Sequence, residues 1–318
     1  MEEILFLEYV VEFKNGRHQR MVMAKPFLKW AGGKRQLLPQ IESRLPDDFG
    51  DCTTYVEPFI GGGAVLFHML EKYQFKEVYI SDLNQELTIC YEAIQSSVDL
   101  VIKELNKLID VYPKSDDERK IFYYQVRKEW NVFVNKLDSL STKQRAHRAA
   151  KTIFMNKTCF NGLFRVNSKG EFNVPIGGYV NPSFPSEKCL REVHIALKDV
   201  VIRTTPFEEC ASLVNGNTFV YFDPPYRPLS KTSSFVSYSK DDFNDDDQRK
   251  LAELFQSLSD SGARLLLSNS DPKNTVASDN FFDELYAGFN IQRVNANRAI
   301  NSNPDKRGSI TELLISNY

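Results

Sequence analysis

Short apolar runs recur along the chain and are separated by longer amphipathic stretches. Residues 54–59 have the pattern of a buried strand that runs into Gly61-Gly62-Gly63. Helical spacing follows over 64–73, and residues 77–80 pattern as the next strand, ending at Ser81 and Asp82. A strand, Gly turn, helix and strand of this length make a βαβ crossover. Residues 36–45 predict a helix ahead of it. From 85 to 155 the pattern is helical, with many charged positions and few turn signals. Residues 161–178 are rich in Gly, Asn and Pro and predict a hairpin or loop. Strand-like runs return at 200–203, 218–222, 264–268, 290–294 and 310–316. The simplest architecture is α/β. Residues 25–85 and 195–318 supply a mostly parallel, doubly wound, Rossmann-like sheet. Residues 86–194 form a mainly helical insertion containing a β-hairpin, and residues 1–24 an extension.

Composition narrows the class. With 42% apolar residues in 318, the chain can bury a large core, which excludes disorder as an overall description. No run approaches 18 apolar residues, so no membrane-spanning helix is expected. The opening Met1-Glu2-Glu3, with Glu8 and Glu12 close behind, has the wrong charge for a secretory signal, and a cytoplasmic protein is expected. The cysteines (Cys52, Cys90, Cys159, Cys189, Cys210) include no C-x-x-C pair and the histidines no H-E-x-x-H, so neither disulfides nor a metal site is expected.

Charge is more informative by position than in total. Between Ser141 and Gly170 lie Lys143, Arg145, Arg148, Lys151, Lys157, Arg165 and Lys169, with no Asp or Glu. That is a candidate footprint for a phosphate backbone. Phe154, Phe160 and Phe164 are interleaved there with Asn156, Asn161 and Asn167, and Arg and Asn are side chains that read guanine and adenine edges. A solvated basic helix face over ordinary core Phe is the competing reading. The acidic run Asp245-Asp246-Asp247 suits the start of the helix that continues through Leu251.

Two motifs carry chemistry. Gly61 and Gly63 let backbone approach a ligand where a Cβ would collide, and Asp82, at the end of the second strand, stands where doubly wound sheets place an acceptor for ribose hydroxyls. The dinucleotide fingerprint is broken by Leu66, which disfavours NAD. A pocket for an adenosine-bearing ligand without a pyrophosphate cradle remains, and S-adenosylmethionine has that character; a Gly-rich turn of any α/β protein is the alternative. The second motif is Asp223-Pro224-Pro225-Tyr226 at a strand end. An exocyclic nucleobase amine is a poor nucleophile because its lone pair is delocalised. The Asp223 carboxylate and the Pro224 carbonyl can each accept one amine N–H, favouring a pyramidal nitrogen and stabilising charge that develops there. The prolines stiffen the turn, and Tyr226 offers a face for an extruded base.

These residues resemble the Dam-type DNA N6-adenine methyltransferases, and the resemblance runs from Pro26 to Tyr318. Phe27-Leu-Lys-Trp-Ala-Gly-Gly-Lys34 is similar to the family's opening motif, Val56-Glu-Pro-Phe59-Ile-Gly61-Gly-Gly63 to its cofactor loop, and Asp223-Pro-Pro-Tyr226 to its catalytic tetrad. Phe160-Asn-Gly-Leu-Phe-Arg165 with Gly170-Glu-Phe-Asn-Val-Pro175 is similar to its target-recognition segment, and the motif order is that of the alpha group. The resemblance implies a class I methyltransferase sheet and S-adenosylmethionine contacts at Trp30, Lys34, Asp82 and Asp223, with Phe59, Gly61 and Gly63 in the loop. It implies DNA contacts by Lys29, Arg165 and Tyr179, with Phe160, Asn161 and Leu163 near the extruded base; Asn167 of the same segment is a further candidate. Phe160 departs from the Tyr usual there, and the amino-terminal segment has no counterpart.

The expected activity is therefore methylation of adenine N6 in double-stranded DNA, at GATC, by a monomer without metal, with a restriction endonuclease as a possible partner. Methylation of RNA adenine, or cofactor-dependent DNA binding without turnover, is the alternative. Residues 230–243, polar but carrying Phe235 and Tyr238, are expected to form a flap over the target base.

Overall fold

The computed structural model describes residues 10–12, 18–20, 23–134, 136–227, 243–297 and 309–318. The flap expected at 230–243 lies outside them except for Phe243. Strands β1 (Val10–Glu12) and β2 (His18–Arg20) pair antiparallel in a small separate sheet.

The main sheet has seven strands: β3 (Thr54–Glu57), β4 (Glu77–Ser81), β5 (Val200–Arg203), β6 (Thr218–Phe222), β7 (Arg264–Ser270), β8 (Asn290–Asn297) and β9 (Ser309–Ser316), in the order β5-β4-β3-β6-β7-β9-β8. β3 to β7 run parallel, while β9 is antiparallel to both neighbours. This is the order of a class I methyltransferase sheet. The chain winds outward from β3 through β4 to β5, then returns to β6 on the other side of β3. The crevice at the carboxyl ends of β3 and β6 is the switch point where such sheets bind ligands, and both motifs of the sequence end there.

Every residue of β3 and β6 is buried, as strands covered on both faces require. Alternation sends Tyr55, Phe219, Tyr221 and Leu266 into one core, and Val56, Val220, Phe222, Leu265 and Leu267 into the other. Helix α7 (Asp245–Asp260) and the short α8 (Phe281–Leu285) cover the second face. α2 (Ala64–Lys72) packs into the first core, as do α3 (Gln85–Asp110), α4 (Asp116–Asn131), α5 (Thr142–Thr158) and α6 (Glu187–Leu197). The apolar interior of residues 86–194 is thus continuous with the sheet: Trp130, Ile153 and Phe154 belong to the same cluster as Tyr55 and Leu66.

Three local expectations change. The helix expected over 36–45 is regular only as α1 (Leu38–Glu42), behind a 3-10 turn at Lys34–Gln36; Pro39 has no N–H with which to continue a helix from residue 35. The hairpin is an irregular ladder, with isolated bridges Cys159–Ile176 and Val166–Phe172 and an Asn173 N–H to Arg165 carbonyl bond of 3.1 Å. Pro175 supplies only an acceptor to it, taking the Phe160 N–H at 2.9 Å. Third, three of the seven basic residues of the window are paired with carboxylates and are not free charge. Arg145 pairs with Glu92 at 2.5 Å, Lys151 with Glu129 at 2.6 Å, and Arg148 forms a buried fork with Glu86 at 2.6 and 2.5 Å. The acidic start of α7 is as read: Asn244 caps it by accepting from the Asp246 and Asp247 N–H groups.

Candidate active site and recognition loop

Asp223 leaves the end of β6 and turns into the crevice. Its Oδ1 lies 2.6 Å from Lys34 Nζ and accepts a second bond, at 3.1 Å, from the Ser268 hydroxyl of β7. Lys34, only 3% exposed, also donates to the Gly32 carbonyl at 2.9 Å and to the Tyr226 hydroxyl at 3.0 Å. That hydroxyl donates on to Glu312 of β9 at 2.7 Å. One ammonium group thereby ties both ends of the tetrad to the opening motif. Burial pushes the Asp223 carboxyl up, and Lys34 and Ser268 oppose that by stabilising the anion. Beside it, Glu57 is fully buried, accepts the Tyr55 hydroxyl at 2.7 Å, and is held well above the usual carboxylate range by desolvation. Of the two, Asp223 is the one in direct contact with the Lys34 ammonium group.

The turn itself is anchored from behind. Gln248 donates to the Pro225 carbonyl at 3.2 Å, and Arg227 forks onto Asp245 at 2.6 and 2.9 Å and reaches Asp279 at 2.8 Å. Pro224 is buried, whereas Tyr226 is 36% exposed, so part of its ring is open.

The glycine loop after β3 forms the adjacent wall. Gly61 and Gly63 have φ of 46° and 71°. A Cβ on Gly61 would meet the Trp30 ring at 3.0 Å, and one on Gly63 would meet the Tyr91 hydroxyl at 2.5 Å, so both positions demand glycine. Asp82 accepts the Gly61 N–H at 3.2 Å and the Asn84 N–H at 2.9 Å, and burial pushes its carboxyl up to about 6. The Asn84 side-chain amide nitrogen beside it is buried and has no partner among the described residues. Phe59 stacks on Phe207 at 5.4 Å between centroids and meets Phe243 edge-on at 5.7 Å. An aromatic slot, a glycine cradle, a carboxylate and an unsatisfied amide fit an adenosine moiety.

On the other side of Trp30, which stacks on Phe164 at 5.6 Å, the loop of residues 159–165 begins. The buried Asn156 amide holds it to the opening motif: Oδ1 accepts the Lys29 N–H at 2.7 Å, and Nδ2 donates to the Lys29 and Gly162 carbonyls at 2.8 and 2.9 Å. Phe160 is 51% exposed and Asn161 has φ 55°, so the loop tip presents an apolar ring on a left-handed turn. Leu163 is half-buried against the core. Lys29 Nζ sits 4.4 Å from the Tyr179 ring centre. Arg165 donates through Nε to Asn173 Oδ1 at 2.7 Å, which fixes the guanidinium plane, and among the described residues no carboxylate pairs with it. Asn167 differs from the others: Oδ1 accepts the Lys169 and Glu171 N–H groups and Nδ2 donates to Glu171, so its amide shapes the turn.

The family model for D12 class N6 adenine-specific DNA methyltransferases matches residues 30–300. The chain belongs to that family. It is 52% identical to the type II methyltransferase M.MjaIII of Methanocaldococcus jannaschii, over 92% of this chain and 99% of that one. Against the type II methyltransferase M1.LlaDCHI of Lactococcus lactis subsp. cremoris the identity is 36%, over 92% and 95%. Against the DNA adenine methylase of Haemophilus influenzae it is 31%, over 91% and 92%. The protein is an adenine-specific DNA methyltransferase, and its methyl donor is S-adenosylmethionine.

For this methyltransferase three of the residues singled out in the sequence stand on one short segment and touch the others: Lys29 lies against Tyr179, Trp30 against Gly61, and Lys34 pairs with Asp223. Lys29, Trp30 and Lys34 thus link the loop after α5 to the glycine cradle and the tetrad. Sequence reading missed Ser268, Glu312, Gln248 and Phe207. Each reaches the site from another strand, helix or turn, and none stands in a local pattern that marks it. Among the described residues no three His, Cys, Asp or Glu side chains are grouped to hold a metal ion, and no helix is long and apolar enough to cross a membrane.

Proposed function

We propose that this methyltransferase modifies N6 of an adenine swung out of duplex DNA, within GATC. The observation that carries the catalytic part is the division of labour on Asp223. Both protein donors converge on Oδ1, and Oδ2, which has no donor among the described residues, is left for the substrate. Oδ2 and the Pro224 carbonyl accept the two amine hydrogens, which frees the nitrogen lone pair, and Tyr226 stacks on the base. S-adenosylmethionine supplies an electrophilic methyl on sulfonium. Trp30, Lys34, Phe59, Gly61, Gly63, Asp82 and Asp223 hold it, with Asp82 accepting from the ribose.

In this reading residues 25–85 and 195–318 are the catalytic part and 86–194 the recognition part. Phe160, Asn161 and Leu163 enter the gap left by the flipped base, at a cost of a few kcal/mol of unstacking that the inserted groups offset. Lys29, Tyr179 and Arg165 contact the target, Arg165 by a fork to guanine, and Asn167 sets the turn that carries it. The GATC assignment rests on the likeness of residues 160–175 to the Dam recognition segment. The enzyme acts as a cytoplasmic monomer, and a restriction endonuclease cutting the same site is its natural counterpart.

Protection mapping tests the site. Plasmid treated with protein and cofactor is challenged with nucleases blocked by adenine methylation in different sequences. Protection confined to GATC is expected; protection at another sequence overturns the assignment, and methylation of RNA in preference to duplex DNA overturns the substrate. The role of Asp82 predicts a pH effect. Its carboxyl is raised to about 6 by burial, and only the anion accepts both ribose hydroxyls, so cofactor affinity measured by calorimetry falls as pH drops from about 7.5 to about 5.5. Asp82→Asn weakens binding and removes that dependence; an unchanged slope in the variant would detach Asp82 from the cofactor.

A further inference from the structure

We propose that Ser268 is a positioning residue for methyl transfer, holding the Asp223 carboxylate by Oδ1 so that Oδ2 faces the target amine, with Tyr221 behind it in the same chain of hydrogen bonds. The proposal rests on the assignment of Asp223 as amine acceptor made above. The register of the sheet produces the contact: Phe222 of β6 lies opposite Leu267 of β7, so the next residues, Asp223 and Ser268, meet at the strand ends. Ser268 and Tyr221 are completely buried, and their hydroxyls are 2.8 Å apart. A serine has one hydroxyl proton. Asp223 Oδ1, at 3.1 Å, is an anionic acceptor, whereas the Phe222 carbonyl lies at 3.5 Å. The proton therefore goes to Asp223, and Tyr221 donates to Ser268 in turn.

Lys34 already contacts the same oxygen, so a second donor needs a reason. Positive charge grows on the amine during transfer, and an ammonium group next to the carboxylate opposes it. Ser268 fixes the same torsion without adding charge. Two donors on one oxygen orient the carboxylate plane more tightly than Lys34 alone, which is shared with Gly32 and Tyr226. The alternation of β7 extends the logic to the opposite face. Asn269, the next residue, donates to Gln248 at 3.2 Å, and Gln248 holds the Pro225 carbonyl. One strand end thus braces the tetrad from both sides of the sheet.

The groups facing Asp223 are Lys34 from the 3-10 turn, Glu57 from β3, Tyr221 and Tyr226 from its own segment and Ser268 from β7, with Glu312 of β9 beyond Tyr226. Burial pushes Glu57 well above the usual carboxylate range and both tyrosines above the usual phenol range. The Ser268 bond favours the Asp223 anion, so its removal raises the pH at which Asp223 becomes competent.

The test is single-turnover methylation of a duplex oligonucleotide with labelled S-adenosylmethionine, from pH 5 to pH 9, for the wild type, Ser268→Ala, Tyr221→Phe and Asp223→Asn, with cofactor affinity and thermal stability measured alongside. Ser268→Ala is expected to lower the rate roughly ten- to a hundredfold, as for loss of a hydrogen bond to a charged group. Its acid limb moves to higher pH, and cofactor affinity, which Asp223 shares with six other residues, changes far less than the rate. Tyr221→Phe moves the limb the same way by less, and it decides the matter should Ser268→Ala fail to fold. A slower variant whose acid limb stays at the wild-type pH overturns the proposal, because a packing defect alone does not move the titration of Asp223. If Asp223→Asn is inactive and the limb is unmoved, only the role of Ser268 falls. If Asp223→Asn retains transfer, the assignment of Asp223 falls with it.

Discussion

Asp223→Ala is expected to reduce methyl transfer on the order of a thousandfold or more, the scale of losing a preorganised group at a site of developing charge. The variant removes the anion that accepts one amine hydrogen and stabilises the nitrogen cation. It also leaves Lys34, which is almost fully buried, without its charge partner, so a lower melting temperature accompanies the lost activity. DNA affinity is retained, because the recognition loop is held by Asn156 and the opening motif and not by Asp223. The isosteric Asp223→Asn change should be nearly as damaging. Lys34 and Ser268 are both donors to Oδ1, so they capture the amide oxygen and turn the NH2 toward the substrate amine, where donor meets donor. Single-turnover transfer, paired with DNA binding by fluorescence anisotropy, checks both variants. A rate within about tenfold of wild type for Asp223→Ala would remove Asp223 from the reaction.

Arg165→Ala is the second large effect, on choice of site more than on chemistry. With Nε committed to Asn173, the two terminal nitrogens project as a fork of fixed plane, the geometry that matches guanine in the major groove. Such a pair is worth about 1–3 kcal/mol of discrimination, which converts to roughly 5- to 150-fold in the ratio of kcat/KM between cognate and near-cognate duplexes. Asn173→Ala should produce part of the same loss, since the guanidinium stays charged but its plane is released. The measurement is kcat/KM over a set of oligonucleotides with single base-pair changes. Discrimination equal to wild type in Arg165→Ala would remove Arg165 from base reading.

How far the site was legible from sequence depends on whether a feature is local. The glycine loop and the tetrad were found because their residue types are demanded by backbone conformation: positive φ at Gly61 and Gly63, a stiff turn at Pro224 and Pro225. The basic window shows the opposite case. It holds no acid of its own, and so it read as free positive charge. Glu86, Glu92 and Glu129 come from α3 and α4 and neutralise Arg148, Arg145 and Lys151 of α5. Arg165 lies past the end of α5, on the hairpin, and has no carboxylate partner among the described residues. Asn167 read as a base contact by type, while its amide closes the turn around Lys169 and Glu171.

The sequence by itself determined the seven strands of the main sheet, to within a few residues at their ends, and placed the glycine loop and the tetrad at strand ends. Side-chain alternation and the conformational limits of glycine and proline act within a few residues and need no knowledge of the rest of the chain. Only the tertiary structure decided which oxygen of Asp223 is held and which is open, because Lys34 and Ser268 reach it from distant points of the chain. It likewise decided which cations of the basic window are paired with carboxylates. Hydrogen bonds and charge pairing act through space, so their outcome is set by the packing of β6, β7 and α5 against their neighbours and not by the order of residues along them.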